Sequence, residues 1–366
     1  MSRDFVYEKL IRPSLFSIDP ESVHYWAASA MLASRSLLPL LGLKYGRDDL
    51  KTSLFGTPLD NPIGLAAGFD KNAKLVGLLT QLGFGFAEIG SVCARPHGGN
   101  PRPRLFRLPM DKALINRLGL NGLGAEVVAN NLARFGSQHL PVGINIAKTN
   151  DPRLVGTEAV DDMVYSFDRL KDLQAKYFTI NTSCPNTHEG CLKESEQLAQ
   201  VLTRISALNT RNVPILLKLS PDSSADFIEE LVSLSIAHEV AGFVCGNTSL
   251  RRDILVTPAQ TIEAIGAGGL SGKPLMPLNL ELTRRVARLK KAEQVIIGVG
   301  GIESGADAFE YLSAGARVVQ IYTGFVYRGP SAVKGICTEL AQILGANKLS
   351  LTQLGKGHAA VNSEHN

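Results

Sequence analysis

The sequence lacks the features that mark several large classes of protein. No apolar run approaches the ~20 residues that a membrane-spanning helix needs, which argues against a polytopic membrane protein. The formal net charge is only +4, and no basic run has interleaved aromatic residues, so nucleic-acid binding is not expected. The N-terminus carries Asp4 and Glu8 and lacks the order of basic, apolar and small residues that marks a signal peptide.

Cysteine is also scarce, and its spacing excludes two further classes. The chain has five cysteines, an odd number, and none of them forms a CxxC pair. They are Cys93, Cys184, Cys191, Cys245 and Cys337. A zinc site and a disulfide framework are therefore poor explanations, and a reducing compartment is the better prediction. With 45% hydrophobic and 20% charged residues, the 366-residue chain has the composition of an ordinary globular protein.

What the sequence does contain is a regular alternation of short apolar runs and amphipathic segments from residue 61 onward. Near-continuous hydrophobicity is typical of parallel strands that are covered on both faces. Eight such runs occur, at residues 61–68, 86–92, 142–148, 177–183, 214–220, 242–248, 294–301 and 318–324. Segments of helical length separate most of them, for example residues 194–209, 224–239 and 303–316. This pattern predicts a (β/α)8 barrel, with a doubly wound sheet as the alternative.

Polar side chains follow nearly every predicted strand. In a barrel these strand ends meet at one rim, where the active site of the fold lies. A single asparagine at such a position is readily explained as a loop cap, but a set that recurs on successive strands indicates a functional site. Together with a glycine pair after the seventh strand, the set comprises Asp70, Lys71, Ser91, Asn145, Lys148, Asn181, Cys184, Lys218, Asn247, Thr248, Gly300, Gly301, Tyr322 and Thr323.

Residues 1–45 do not follow the barrel pattern and are predicted to form an N-terminal extension of two helices that meet near Pro20. The barrel is expected at residues 46–350, and residues 351–366 form a polar tail. Two interpretations of the extension stay open. Its helices either pack on the barrel as cover or lie in a membrane interface, with Tyr25 and Trp26 at the depth of the lipid headgroups.

Glycine-rich strand ends predict a phosphate site. The segment GVGGI (298–302) precedes a predicted helix, VVQIYTG (318–324) follows as the last strand, and GGLSG (268–272) adds a third glycine-rich stretch. Bare backbone amides at such places bind anions, and barrels commonly hold a phosphate after their seventh and eighth strands. Because the sequence has neither a Walker motif nor GxGxxG, a mononucleotide such as FMN is favoured over NAD or ATP. Lys71 and Lys218 would then stabilise the reduced flavin.

The stretch NTSCPNTHEGCLKE (181–194) places Cys184 just after a predicted strand. Three roles are conceivable for this cysteine: an acid/base, a metal ligand, or a small residue at a crowded strand end. Metal ligation is disfavoured because Cys191 and His188 lie on the same loop without a suitable constellation of partners. The other two roles remain.

Several segments together resemble those of one enzyme family. They are AAGFDKNA, INRLGLNGLG, NTSCPNT, GNTS, GGLSGKPL, IIGVGGI and QIYTGF, and the similarity extends from about residue 5 to about residue 345. The chain resembles dihydroorotate dehydrogenase, in its quinone-linked, membrane-associated class, which the segment DPESVH (19–24) marks. The resemblance implies a (β/α)8 barrel with bound FMN, oxidation of dihydroorotate to orotate in pyrimidine synthesis, and reoxidation by ubiquinone or menaquinone. It further implies a monomer attached peripherally, through the N-terminal helices, to the cytoplasmic side of the inner membrane.

The resemblance also assigns residues. FMN contacts are implied at Ala67, Gly68, Lys71, Ser91, Asn145, Asn181, Lys218, Gly246, Gly272, Gly301, Tyr322 and Thr323. Substrate contacts are implied at Lys71, Asn116, Arg117, Leu118, Gly119, Leu120, Asn181, Asn186, Asn247 and Thr248. A quinone tunnel would be lined by His24, Arg107 and Tyr322, with a buried structural role as the alternative for His24. The family's acid/base position falls on Cys184, and no metal is expected.

The chain departs from the quinone-linked class at several of these positions. That class has serine where Cys184 stands, and cysteine there resembles the soluble class, whose members lack the N-terminal helices. Threonine is usual where Ser91 and Gly246 stand, and an aromatic residue is usual at Leu120. The loop 187–195, which is expected to close over the substrate, also differs in composition. Three alternatives therefore stay open: a substrate that is another cyclic ureide, a soluble-type enzyme with fumarate or NAD as acceptor, and a non-catalytic flavin-binding protein.

Overall fold

The architecture is a closed barrel of eight parallel strands surrounded by helices, in a computed structural model that describes residues 6–134, 140–182 and 195–354. The barrel strands are Ile63–Leu65, Phe86–Val92, Val142–Ile146, Tyr177–Asn181, Ile215–Leu219, Gly242–Cys245, Val295–Val299 and Val318–Ile321. Each of the eight predicted apolar runs contains one of them, and each strand pairs with the next along the chain until the eighth closes on the first. The predicted (β/α)8 barrel is therefore confirmed, and the doubly wound alternative is wrong.

Helices cover the outside of the barrel, where their apolar faces pack against the strands and against neighbouring helices. The α-helices of the barrel region are Val76–Leu79, Gly124–Ala133, Gly156–Leu170, Ser195–Leu208, Ala225–Ala237, Ala259–Ile265, Met276–Leu289, Gly305–Ser313, Thr323–Arg328, Ala332–Ala346 and Leu351–Leu354. The helix Gly305–Ser313 begins with a capping box between Ser304 and Asp307, which fixes its start directly after the seventh strand.

The barrel interior is filled by large rings that face small residues. Phe86 and Tyr177 are fully buried in a cluster with one side chain from each of several other strands. A Cβ on Gly143 would lie 2.1 Å from the Tyr177 ring, and one on Gly64 would lie 2.4 Å from the Phe86 ring. The glycines are thus required by close packing in the interior. A hairpin of Thr52–Leu54 and Thr57–Leu59 contributes apolar side chains to the same cluster.

A second, antiparallel sheet stands outside the barrel. Its strands are Leu105–Leu108, Ala113–Asn116 and Gly269–Gly272, in the order third, second, first. Short 3-10 turns at Pro109–Asp111 and Lys273–Leu275 adjoin it. The pairing of Asn116 with Gly269 brings the INRLGL segment and the GGLSG segment side by side.

The N-terminal extension consists of short helical pieces. Tyr7–Ile11 is a π-helix that continues into the α-helix Arg12–Phe16, and the helix Pro20–Ala33 and a 3-10 turn at Leu38–Leu41 follow. Asp19 caps the helix Pro20–Ala33 by accepting a 2.8 Å hydrogen bond from the Ser22 amide. The helical content of the extension agrees with the prediction from the sequence.

Candidate functional site

A cavity opens at the carboxyl ends of the barrel strands, and we call it the mouth cavity. Most of the residues singled out from the sequence line it. They are Ala67, Gly68, Lys71, Ser91, Asn116, Leu118, Gly119, Leu120, Asn181, Lys218, Gly246, Asn247, Thr248, Gly272, Gly301, Tyr322 and Thr323. The barrel topology explains the convergence, because parallel strands present all their carboxyl ends at one rim.

Amide side chains form a connected network at the base of this cavity. Asn145 is fully buried beneath the wall, donates to Glu88 at 2.8 Å and accepts from the hydroxyl of Ser91 at 2.5 Å. Asn181 donates to the same hydroxyl at 3.4 Å, and Asn247 donates to the Asn181 side-chain oxygen at 3.4 Å. The network fixes which way each amide faces, as binding of a heterocycle with both donors and acceptors requires.

Two lysines make the mouth cavity cationic. Lys218 is buried and stands beside Asn181 in the register of neighbouring strands. The Lys71 ammonium donates a hydrogen bond to the side-chain oxygen of Asn121. Asp70, by contrast, is a structural residue, because its carboxylate accepts from the backbone amides of Lys74 and Leu75 at 2.8 and 2.7 Å.

The glycine-rich strand ends form a cradle of bare backbone on one side of the cavity. Gly272, Gly300 and Gly301 have φ values of +108°, +119° and +73°, a region that favours glycine. Next to them, the hydroxyls of Ser271 and Thr323 lie 2.9 Å apart. Backbone amides and hydroxyls of this kind suit an anionic group such as a phosphate.

Gln320 supplies a second indication that the mouth cavity binds a ligand. Its amide nitrogen donates to Glu88 at 3.0 Å, while its buried side-chain oxygen has no hydrogen-bond partner within the part of the chain that the structure describes. The residue also lines the mouth cavity. A buried acceptor without a partner is costly, so a bound group that donates an N–H at this place would satisfy it.

A second cavity lies between the N-terminal extension and the barrel, and we call it the apolar cavity. Its volume is about 630 Å³, and its wall is mainly aliphatic and aromatic. His24, Arg107 and Tyr322, the three residues assigned to a tunnel, all line it. Leu105 and Tyr322 line both this cavity and the mouth cavity, so the two cavities share a wall.

The polar groups of the apolar cavity are adapted to burial. Burial, followed by the nearby charge of Lys71, lowers the pKa of His24 to about 4, so this imidazole is neutral at pH 7. The ring of His24 packs edge-on against Phe69 with centroids 4.9 Å apart. Burial raises the pKa of Tyr322 to about 12, so its phenol stays protonated. Arg107 lies 4.6 Å from the centroid of the Phe16 ring and donates to the Ile18 carbonyl at 2.7 Å.

Four residues assigned from the sequence are not on the described cavity walls, and one of them is Asn145, which is buried beneath the wall. The guanidinium of Arg117 turns away from the mouth cavity and donates to the carbonyls of Ile265 and Ala267 at 2.7 and 2.8 Å. Cys184 and Asn186 fall in residues 183–194, outside the described residues, as does most of the loop 187–195. Their roles remain predictions. Across the described ranges, no group of three or more histidine, cysteine, aspartate or glutamate side chains is placed to hold a metal ion.

The structure also adds residues that the sequence motifs did not single out. Leu105, Ser271 and Gln320 line the mouth cavity, and Asn121 binds the Lys71 ammonium. Asn121 directly follows INRLGL, so its place in the motif INRLGLNGLG was an available signal. Leu105 carried no such signal, because a leucine in a short strand is ordinarily a core residue.

Comparisons with known proteins agree on one family. The sequence model of the dihydroorotate dehydrogenase family matches residues 49–344. A dihydroorotate dehydrogenase (quinone) of Gloeobacter violaceus is 41% identical over 359 residues, which cover 96% of this chain and 98% of that one. Another of the same name, from Corynebacterium efficiens, is 41% identical and covers 95% of this chain and 92% of its own length.

A solved structure shows the same fold. The crystal structure of DHODH from Eimeria tenella in complex with ferulenol has a TM-score of 0.78 and 30% sequence identity, and the match covers 92% of this chain and 94% of that one. In the described ranges, no helix combines the length and the apolar character that crossing a bilayer requires. The (β/α)8 barrel carries a polar cavity next to an apolar one, and the relatives named above belong to one family. These findings support one conclusion. The chain belongs to the quinone-linked branch of the dihydroorotate dehydrogenase family, a family of flavin-dependent oxidoreductases.

Proposed function

We propose that this chain oxidises (S)-dihydroorotate to orotate with FMN as cofactor and a quinone as electron acceptor, in de novo pyrimidine biosynthesis. The observation that carries the proposal is the wall of Leu105 and Tyr322 between a polar, cationic cavity and an apolar one. Such a pair suits a polar substrate and an apolar acceptor that react in turn with one flavin. The names of the relatives support the same reaction.

The mouth cavity fits FMN by the chemistry of its donors and acceptors. The cradle at Gly272 and Gly301, with the Thr323 hydroxyl, would hold the phosphate. The unsatisfied oxygen of Gln320 would accept an N–H from the flavin ring, and Lys218 would stabilise negative charge on that ring. When bound, FMN supplies the hydride acceptor for the substrate and the electrons for the quinone.

The substrate's shape explains why the cavity combines lysine with amides. Dihydroorotate has a carboxylate on a ring that contains amide-like donors and acceptors. Lys71 would pair with the carboxylate, while the side chains of Asn116, Asn181, Asn247 and Thr248 would match the ring. Asn186, outside the described residues, is expected to join them. This arrangement would orient the ring with C6 toward the hydride acceptor.

Cys184 is the proposed base. Oxidation removes a proton from C5 and a hydride from C6, and the C5–C6 bond becomes a double bond. The cysteine would take the C5 proton in its thiolate form. The ordinary pKa of a cysteine thiol is about 8.5, far below that of a serine hydroxyl. A nearby lysine would lower it further, so the base would act near neutral pH.

The apolar cavity is the proposed quinone site, and its position suggests how the quinone arrives. Large apolar side chains of the extension face solvent, with Leu40 exposed to 78%, Trp26 to 61% and Leu10 to 61%. Exposed apolar surface of this kind suits insertion into a lipid interface. We therefore propose that a monomer attaches peripherally to the cytoplasmic side of the inner membrane and receives ubiquinone or menaquinone from the lipid.

The decisive experiment follows flavin absorbance under anaerobic conditions. Dihydroorotate is expected to bleach the flavin of the purified holoenzyme, and a soluble quinone analogue added afterwards is expected to restore its colour. Dihydrouracil, which has the same ring without the carboxylate, is the matched control and is expected to leave the flavin oxidised. Bleaching by dihydrouracil alone would indicate another cyclic ureide as substrate. Recovery with fumarate or NAD instead of quinone would indicate a soluble-type enzyme, and no bleaching at all would contradict an enzymatic role.

A further inference from the structure

One helix of the N-terminal extension lines the apolar cavity and also a third cavity that shares Lys71 with the mouth cavity. In the helix Pro20–Ala33, Glu21 and Tyr25 are four residues apart and therefore lie on one face. That face adjoins a cavity of about 210 Å³ whose wall includes Glu21, Tyr25, Lys71 and Asn121. The helix is thus in direct reach of the lysine proposed to hold the substrate carboxylate.

The first attachment of this helix is a buried ion pair. Glu21 is only 4% exposed and accepts from Arg104 at 2.7 and 3.0 Å, one hydrogen bond to each carboxylate oxygen. A paired guanidinium–carboxylate contact of this geometry fixes direction as well as distance. Arg104 also donates to the carbonyls of Gly98 and Asn100 at 2.7 and 2.8 Å. The start of the helix is therefore held on the loop that precedes the outer sheet.

The second attachment leads to the site itself. The side-chain nitrogen of Asn121 donates to the hydroxyl of Tyr25 at 3.3 Å, and the oxygen of the same amide accepts from the Lys71 ammonium. Asn121 is 9% exposed, whereas Tyr25 is 46% exposed. An amide can donate and accept at the same time, so Asn121 connects the helix and the lysine through a single rigid group.

We infer that Tyr25 and Asn121 are positioning residues that hold Lys71 in place and so couple the docked helix to the substrate site. Lysine has a flexible four-carbon stem, and its ammonium has no preferred direction of its own. A hydrogen bond from that ammonium to a buried amide oxygen restricts it, and the bond from Asn121 to Tyr25 restricts the amide in turn. The inference rests on the proposed function, which identifies the ligand of Lys71 as dihydroorotate or its product orotate.

The test measures orotate binding to oxidised holoenzyme by calorimetry, which needs no turnover. Asn121→Ala is expected to weaken binding about tenfold, because a charged donor loses its buried acceptor. Tyr25→Phe, at a half-exposed position, is expected to weaken it about threefold. In the Asn121→Ala background, Tyr25→Phe is expected to have no further effect on binding. Both substitutions act through the same bridge, which consists of the hydrogen bonds from Lys71 to Asn121 and from Asn121 to Tyr25. Tyr45→Phe is the matched control, because its hydroxyl binds Asp49 at the surface.

Two results would overturn the inference: additive effects of Asn121→Ala and Tyr25→Phe, or an effect of Tyr25→Phe no larger than that of Tyr45→Phe. The midpoint potential of the bound flavin separates this failure from failure of the proposed function. If wild-type protein binds no orotate, the proposed substrate is wrong. The bridge still predicts that Asn121→Ala lowers the potential, because a displaced Lys71 stabilises the reduced flavin less. An unchanged potential would then contradict the bridge as well.

Discussion

The two cavities on either side of Leu105 and Tyr322 are built on opposite principles. The mouth cavity stands on strand ends whose amide and hydroxyl side chains are joined in one hydrogen-bond network. The apolar cavity stands between short helical pieces and the outer sheet, and its few polar groups are buried, neutral or bound to backbone carbonyls. The barrel supports most of the first cavity, with Lys71 linked to the extension through Asn121, whereas the second cavity depends wholly on how the extension docks.

This difference matters for a reaction with two half-reactions. A polar substrate is recognised by fixed hydrogen bonds, and an apolar acceptor is recognised by surface withdrawn from water. Because the cavities share a wall, one flavin could serve both without the two ligands competing for one pocket. A change confined to one cavity should therefore affect one half-reaction and spare the other.

The largest expected effect concerns the polar side. Cys184→Ala should slow flavin reduction by dihydroorotate about 10²- to 10⁴-fold, which is the usual contribution of a positioned base. Cys184→Ser should shift the pH dependence of the same step to higher pH, because a hydroxyl ionises far above a thiol. Stopped-flow absorbance measures both.

Reoxidation of the reduced flavin by quinone serves as the internal control for these variants and should stay unchanged. An unaltered pH–rate dependence in Cys184→Ser would remove Cys184 from the role of base. The small-residue interpretation of this position would then be preferred.

The next effect concerns the support of the polar network. Glu88 is fully buried and accepts hydrogen bonds from Asn145, Tyr177, Thr179 and Gln320 at 2.8 to 3.2 Å. Glu88→Ala removes this shared acceptor, leaves only Gln320 with another one in the described part of the chain (the Tyr177 hydroxyl), and should lower the free energy of unfolding by about 3 kcal/mol. Urea denaturation measures the loss.

Exposed Glu230→Ala is the control for this substitution and should change stability by less than about 0.5 kcal/mol. Glu88→Gln, which keeps one acceptor oxygen, should lie between the two. Equal stabilities of wild type and Glu88→Ala would show that the network is not required by the fold.

The sequence predicts structural features that leave a pattern within one short segment, and it does not predict features formed by residues far apart in the chain. All eight barrel strands were predictable, because burial on both faces leaves continuous apolar runs. The outer sheet was not, since its pairing of Asn116 with Gly269 joins residues 153 positions apart through strands of only four residues each. The direction in which a side chain points could not be predicted from the sequence either. Arg117 lies inside a recognised motif, yet its guanidinium binds carbonyls away from the cavity.

A smaller effect is expected on the apolar side. Arg107→Ala removes hydrogen bonds to the carbonyls of Phe16 and Ile18, and with them a tie between the outer sheet and the extension. The KM for quinone should rise about tenfold, which corresponds to about 1.4 kcal/mol. Arg107→Lys keeps the charge but loses the planar stacking on Phe16, so an intermediate KM is expected. Anaerobic flavin reduction should be unaffected, and an equal fall in both half-reactions would contradict the separation of the two cavities.

The smallest effect tests whether docking of the extension depends on the burial of His24. Its pKa of about 4 in the folded chain lies below the value of 6.5 expected when it is exposed, so the undocked state binds more protons between these limits. Docking is therefore fully favoured above about pH 6.5 and is weakened as the pH falls, by about 1 kcal/mol at pH 5.5. Trp26, the single tryptophan, lies on the same helix, and its fluorescence reports the loss. His24→Gln cannot titrate in this range and should show a flatter pH dependence. An identical pH dependence in both proteins would mean that another group controls the docking of this helix.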